Sequence, residues 1–307
     1  MKNHPSLEAS KESTPGALNL LTFDIEDWYH INYPVVDFMV FDQQEDHQVL
    51  FDQTKKLTGY CKERGIQGTF FVLGRLLEKK PAIGEWIVAQ GQELALHGQE
   101  HDLLTQKTPD QFKNELERSI RAFRQVTGNH PLGFRAPSWS INLDNIWVLE
   151  ILESFGFQYD SSIFPIKNFL YGLPTAPSDP FYPIVRGRQL GLLEIPVSIT
   201  RLGPFRLAYS GGVYFNLWPF RVIQKIGDRR THGNKINLFY FHPWDLWKRS
   251  PNQTRRLKAR WVSLHLGNTL RKFERLLQTF PMGAISSNLD SLKDRARPFA
   301  LGAIHES

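Results

Sequence analysis

Leu20-Leu21-Thr22-Phe23-Asp24-Ile25-Glu26-Asp27 sets a short apolar run directly against three carboxylates. A run of this kind predicts a buried strand over residues 18–23 that delivers Asp24, Glu26 and Asp27 at its C-terminal end. Outward from it the same unit recurs. Helical spacing over 52–64 leads through Gly65 and Gly68 into a strand at 69–73, and a helix at 79–90, closed by Gly91, leads into one at 93–96. An amphipathic helix at 109–127 stops at Gly128 before a strand at 132–135, and a helix at 143–155 stops at Gly156 before a strand at 157–160. Residues 164–188 alternate prolines, glycines and aromatics without a period and are expected to be a long ordered loop. Strands at 192–197 and 237–241, a helix at 218–230 and a basic amphipathic helix at 261–279 complete the series. Seven strands alternating with helices predict an α/β fold built on a parallel sheet or barrel.

Composition narrows the function. The 307 residues, 41% hydrophobic and 13% aromatic, can bury a large core and exclude a disordered chain. Cys61 is the lone cysteine, so an internal disulfide, a cysteine zinc finger and an iron–sulfur cluster are excluded, and any metal must be held by histidines and carboxylates. The net charge of +6 is uneven: residues 1–153 carry 15 basic and 22 acidic side chains, whereas the remainder carries 22 basic and 9 acidic. A basic half suits nucleic acid, an anionic membrane surface or an acidic glycan. Residues 1–15 are polar, and no stretch approaches the length of a membrane span, so the expected location is cytoplasmic, with a peripheral membrane contact.

In a parallel barrel the chemistry gathers at the C-terminal strand ends. Those ends carry Asp24 with Glu26 and Asp27, His97 with His101 behind it, Arg135, Asp160 and His242. His97 and His101, four apart with Gly98 between them, with one carboxylate would make a two-histidine, one-carboxylate site with open positions; two surface histidines are the plain alternative. A second, unligated carboxylate would take a proton from water. Acids after a strand also cap helices, and an arginine at a strand end often pairs with a surface acid. Arg135 would hold Asp24 ionised. His242, before Pro243 and Trp244, would protonate a leaving amine or be a core histidine. Trp139, Trp244 and Trp247 suit a core, or the apolar wall of a sugar groove.

The ordered set resembles the polysaccharide deacetylases of the NodB-homology group, carbohydrate esterase family four. It comprises Thr22-Phe23-Asp24-Ile25-Glu26-Asp27-Trp28, Gly68-Thr69-Phe70-Phe71-Val72-Leu73-Gly74, Glu93-Leu94-Ala95-Leu96-His97-Gly98-Gln99-Glu100-His101, Phe134-Arg135-Ala136-Pro137-Ser138, Tyr159-Asp160-Ser161-Ser162 and Phe241-His242-Pro243-Trp244. Glu194-Ile195-Pro196-Val197-Ser198 and Ser210-Gly211-Gly212-Val213-Tyr214-Phe215 are similar to the branch of exopolysaccharide and PEP-CTERM loci. The resemblance implies a distorted (β/α) barrel of about seven parallel strands over residues 18–290, between an N-terminal tail at 1–17 and a C-terminal tail at 291–307. It implies a divalent metal, zinc foremost, on His97 and His101, Asp24 as general base, His242 as general acid, and Arg135 orienting Asp24. Asp160 would line the groove or steady His242, and Ser138, Trp139 and Trp244 would meet the substrate. The family sets two aspartates together or one residue apart in the first motif. Here spacing favours Glu26 as third ligand and side-chain type favours Asp27. The implied reaction is removal of N-acetyl groups from amino sugars of a polysaccharide or lipid-linked glycan. The rivals are hydrolysis of a small cyclic amide and a catalytically silent glycan binder; nothing beyond charge supports nucleic acid.

Overall fold

The computed structural model describes residues 18–27, 47–166, 168, 171–247 and 268–302. β1 (Asn19–Ile25) is buried along its whole length, as a strand covered on both faces must be. The two-residue pleat sends Leu21, Phe23 and Ile25 into a core shared with the helices, and Leu20, Thr22 and Asp24 to the other side. β1 pairs in parallel with β2 (Thr69–Val72) and with β11 (Asn237–Phe241). The ladder continues in parallel through β3 (Glu93–Leu96), β4 (Gly133–Phe134), β5 (Tyr159–Asp160) and β8 (Leu193–Glu194). These are the seven parallel strands expected, although β1 runs two residues further than predicted, so Asp24 lies within it.

Two expectations are corrected. The segment expected as a loop at 164–188 contains β6 (Phe181–Val185), antiparallel to β8 and to β7 (Arg188–Gln189). Pro183 in its middle hides the strand signal, since proline is rare inside sheets. Residues 291–302 are not a tail: a helix at Leu289–Arg295 leads into β12 (Arg297–Ala300), which pairs in parallel with β6. Among the described residues the sheet runs from β11 to β12 and does not close. A separate hairpin is formed by β9 (Ile199–Leu202) and β10 (Phe205–Ala208). Of the basic helix expected at 261–279, the described part is Thr269–Thr279; residues 261–267 lie outside the described residues.

Helices cover the outer face. The longest, Pro109–Thr127, is α4, after α1 (Gln48–Lys62), α2 (Gly74–Lys79) and α3 (Ala82–Ala89). α4 starts on a capping box, Thr108 and Gln111 each accepting the other's backbone N–H, with Pro109 in its first turn. It ends at Gly128, whose φ of 71° favours glycine. Phe112, Leu116, Ile120 and Phe123 form its buried stripe, and Phe112 packs edge-on against Phe134, which seats β4.

The inner face is layered. Phe71, Ala95, Tyr159, Leu193 and Leu238 fill its middle. Below them buried Glu93 accepts hydrogen bonds from Thr69 Oγ1 (2.6 Å), Tyr159 OH (2.7 Å) and the Ser286 backbone N–H (2.9 Å), so no oxygen is stranded at the base. This layer leaves no room at Gly133, where an added β-carbon would lie 1.9 Å from the Tyr159 ring. Gly133→Ala should displace Tyr159 from Glu93 and lower the unfolding free energy by about 2–3 kcal/mol, measurable by urea denaturation.

Candidate functional site

Register decides which side chains meet. Phe134 and Leu96 are partners, so the next residues, Arg135 and His97, share the opposite, inward face. Asp24 partners Phe71 and points the same way. Arg135 is wholly buried, and its Nη1 donates to Asp24 Oδ1 at 2.6 Å and to Thr22 Oγ1 at 3.0 Å. Nε and Nη2 donate to the Ser161 carbonyl and hydroxyl at 3.2 and 3.0 Å, and the guanidinium lies 4.1 Å from the Phe71 ring centroid. The carboxylate is thereby fixed as an acceptor at the mouth of the inner face.

The same arginine sets a histidine. Its backbone carbonyl accepts from His97 Nδ1 at 2.8 Å, so the proton sits on Nδ1 and the Nε2 lone pair is turned to Glu26 Oε2, 3.5 Å away. His101 Nε2 is in close contact with the same Oε2. Gly98, with φ 81°, provides the bend that brings the second imidazole back. The ligand-capable atoms of Glu26, His97 and His101 all lie within 4.8 Å of one another. Burial disfavours the Glu26 charge, but His101 above all, then His97 and His242, hold its pKa well below the ordinary value. Two imidazole nitrogens and one buried carboxylate oxygen, converging within a few ångströms, are a donor set that a divalent cation fits.

Glu26 is thus the acid that converges with the histidines. Asp27 turns away to His47 Nδ1 at 3.0 Å. The contrast follows from alternation, since Asp24 and Glu26 are two apart and share a side whereas Asp27 does not.

His242 follows β11 and caps the N-terminus of a short helix, Pro243–Leu246. Its Nδ1 is 2.9 Å from Asp245 Oδ2, and its Nε2 lies 3.5 Å from Glu26 Oε1 and 3.8 Å from Asp24 Oδ2. Trp244 stacks on the imidazole at 4.4 Å. Burial opposes a charged ring, but Asp245, then Glu26 and Asp24, raise its pKa to about 9. Asp245 was missed in the sequence reading. Its signal was available as a carboxylate three residues after a histidine across a proline.

One cavity of about 70 Å³ gathers Asp24, Glu26, His97, His101, His242, Ser138, Trp139 and Trp244. Ser138 and Trp139 both have positive φ, 52° and 49°, a costly conformation for L-residues that turns this loop into the cavity. Tyr171, Val213, Tyr214 and Tyr240 complete the walls and were not anticipated. Gly211 lets the short helix carrying Val213 and Tyr214, Gly212–Leu217, approach β11: an added β-carbon there would lie 2.2 Å from the Tyr240 carbonyl oxygen.

Asp160 is absent from this cavity and from His242. It is in register with Phe134 and Glu194, so it shares the outward face with them, opposite to Arg135. Both carboxyls are wholly buried. Ser162 Oγ donates to Asp160 Oδ1 at 2.5 Å and the Ile163 N–H to Glu194 Oε1 at 2.9 Å, leaving Asp160 Oδ2 and Glu194 Oε2 for one another. Burial, and for Glu194 the adjacent Asp160, raises both pKa values, Asp160 to about 6 and Glu194 well above its ordinary value, so the pair retains a proton.

Residues 32–159 match the family Polysaccharide deacetylase, and residues 161–290 match a domain of unknown function, DUF3473. The chain is 36% identical over 141 residues to the peptidoglycan deacetylase-like protein FGM2 of Gibberella zeae, covering 42% of this chain and 41% of that one. It is 28% identical over 155 residues to the peptidoglycan deacetylase of Helicobacter pylori, covering 47% of this chain and 52% of that one. The matched region thus spans about two-fifths to one-half of these relatives. The crystal structure of a polysaccharide deacetylase-like protein of Mycobacterium smegmatis aligns over 95% of this chain and 96% of its own, with a TM-score of 0.60 and 21% identity, and shares the fold. The architecture is the (β/α)-type fold of that structure, built on a mostly parallel sheet. Residues 32–159 are thus similar to polysaccharide deacetylases.

Two outcomes follow from this geometry. Arg135→Met removes the buried guanidinium that answers Asp24, Thr22 and Ser161 and should cost about 3–5 kcal/mol of stability in denaturant titrations. The Asp160–Glu194 pair has folded pKa values above unfolded ones, so its stabilisation is full at acid pH and is lost as pH rises through about 6 and beyond. Glu194→Gln supplies a permanent donor to Asp160, so between about pH 5 and pH 8 its unfolding free energy should decline less than that of the wild type. Parallel declines would show that the pair holds no proton.

Proposed function

We propose that this protein hydrolyses the N-acetyl amide of amino sugars in a polysaccharide or lipid-linked glycan, releasing acetate and a free amine. The observation that carries the reading is the single cavity in which a guanidinium-held carboxylate, a carboxylate–imidazole pair and a three-donor cluster face one another. The named relatives, peptidoglycan deacetylases, support the reaction class.

Glu26, His97 and His101 would hold a divalent cation, zinc by the preference of that ion for imidazole with carboxylate. When bound, such an ion supplies Lewis acidity that polarises the acetyl carbonyl and lowers the pKa of water toward about 7. Asp24, held in place by Arg135, accepts the proton of the attacking water. The backbone N–H of Ser138 is assigned to the developing oxyanion. His242 donates from Nε2 to the departing nitrogen while Asp245 holds its Nδ1. Trp139, Trp244 and Tyr214 supply flat apolar walls for a pyranose ring.

The test is acetate release from N-acetylated oligosaccharides by purified protein, alongside its metal content. Chelation should abolish release and zinc should restore it. Asp24→Asn should retain metal and lose at least about 10³-fold in turnover, whereas His97→Ala should lose the metal itself. Full activity of Asp24→Asn would overturn the base assignment. Opening of a cyclic amide without acetate release would move the substrate to that class.

A further inference from the structure

The β9–β10 hairpin stands apart from the main sheet. Leu202 and Phe205 face one another across its end, each 67% exposed, around the turn Gly203-Pro204. One residue inboard, Arg201 faces Arg206. Like charges directly opposite weaken a strand pair. Burial and then Arg201 lower the Arg206 pKa. Arg206 is anchored by donating to the carbonyls of Ala176 and Pro165, at 2.6 and 3.2 Å, whereas Arg201 has no carboxylate partner among the described residues. Beside the hairpin lies a cavity of about 310 Å³ lined by Arg201, Arg229, Arg230 and Lys235. The carboxylate answering this cluster is Asp179, 3.1 Å from Arg230 and 3.4 Å from Lys235. Arg201 and Arg229 are left without one among the described residues.

We propose that this hairpin docks the protein on an anionic lipid bilayer, with Leu202 and Phe205 entering the headgroup–acyl boundary and Arg201, Arg229 and Lys235 facing lipid phosphates. The layering argues for it: an apolar tip comes first and a belt of cations immediately behind, the order in which a bilayer presents acyl chains and phosphates. A soluble anion would use the cavity and leave the exposed Leu–Phe pair without purpose. A symmetric contact between two copies through this hairpin would bring the two arginine belts together, against their charge. A negative surface relieves the Arg201–Arg206 opposition that the fold itself leaves uncompensated.

The experiment is co-sedimentation of the full chain with vesicles of phosphatidylcholine alone and of equimolar phosphatidylcholine and phosphatidylglycerol. Binding to the mixed vesicles only, weakening with salt, is expected. Leu202→Ser with Phe205→Ser should reduce it by about tenfold or more with thermal unfolding unchanged, and Arg201→Glu should reduce it similarly without lowering thermal stability, since the new carboxylate faces Arg206. Equal binding to phosphatidylcholine alone, no binding to mixed vesicles, or full retention in the double variant would each overturn the proposal. So would a concentration-dependent dimer that the double variant abolishes, since the patch would then join two copies. Inorganic phosphate that displaces the protein from vesicles at matched ionic strength would assign the cavity to a soluble anion instead. Vesicle binding is read without substrate, so it stands or falls apart from the proposed hydrolysis.

Discussion

The Arg135–Asp24 pair is the constraint around which the inner face is arranged. Taking a guanidinium out of water costs several kcal/mol unless its donors are answered, and here Nε, Nη1 and Nη2 all are. Meeting that demand fixes much else. Thr22 must present its hydroxyl from β1, Ser161 must present both its carbonyl and hydroxyl after β5, and the Phe71 ring must lie under the cation. The carbonyl of the same residue settles which nitrogen of His97 bears the proton. One residue therefore holds the proposed base through its side chain and a proposed ligand through its backbone, so the two cannot drift apart independently.

Charge accounting around that pair explains a feature the reaction does not use. In the buried strands following Arg135 are Asp160 and Glu194, which form no ion pair with a cation among the described residues. A proton held between the two carboxyls removes one negative charge from the interior and leaves the guanidinium committed to Asp24. The pair also braces the backbone it serves: Ser162 links Asp160 to the Ala136 N–H, and the next residue's N–H reaches Glu194. Loss of the proton would weaken the loop carrying Ser161, and with it the grip on Arg135.

Much of this was legible in the sequence, for a physical reason. Strands covered on both faces are continuous apolar runs, and helices carry caps and stops, so β1, β3, β11 and α4 stand out. The converging groups also stood out, because polar residues at the ends of such runs have few structural excuses. What escaped depended on long-range pairing. β6 carries a proline, and β12 has no reason to be a strand except the edge of β6 beside it. Asp160 was misassigned because face depends on register, and a two-residue strand gives no alternation to count. Val213 and Tyr214 sit in a short helix, Gly212–Leu217, brought to the cavity by Gly211's approach to Tyr240, which no local pattern encodes.

The choice between Glu26 and Asp27 illustrates how that limit yields to geometry. Side-chain type pointed to aspartate and spacing pointed to glutamate, and the sequence could not weigh them. Once β1 is seen to extend through Ile25, Asp24 lies on the inner face and the residue two positions on inherits its direction, while Asp27 is carried to the opposite side and captured by His47. The extra methylene of glutamate then matters. Beyond the last strand pairing the backbone is no longer held against β2, and a longer side chain can reach back to the two imidazoles from there. An aspartate at position 26 would keep the direction and lose one methylene of that reach.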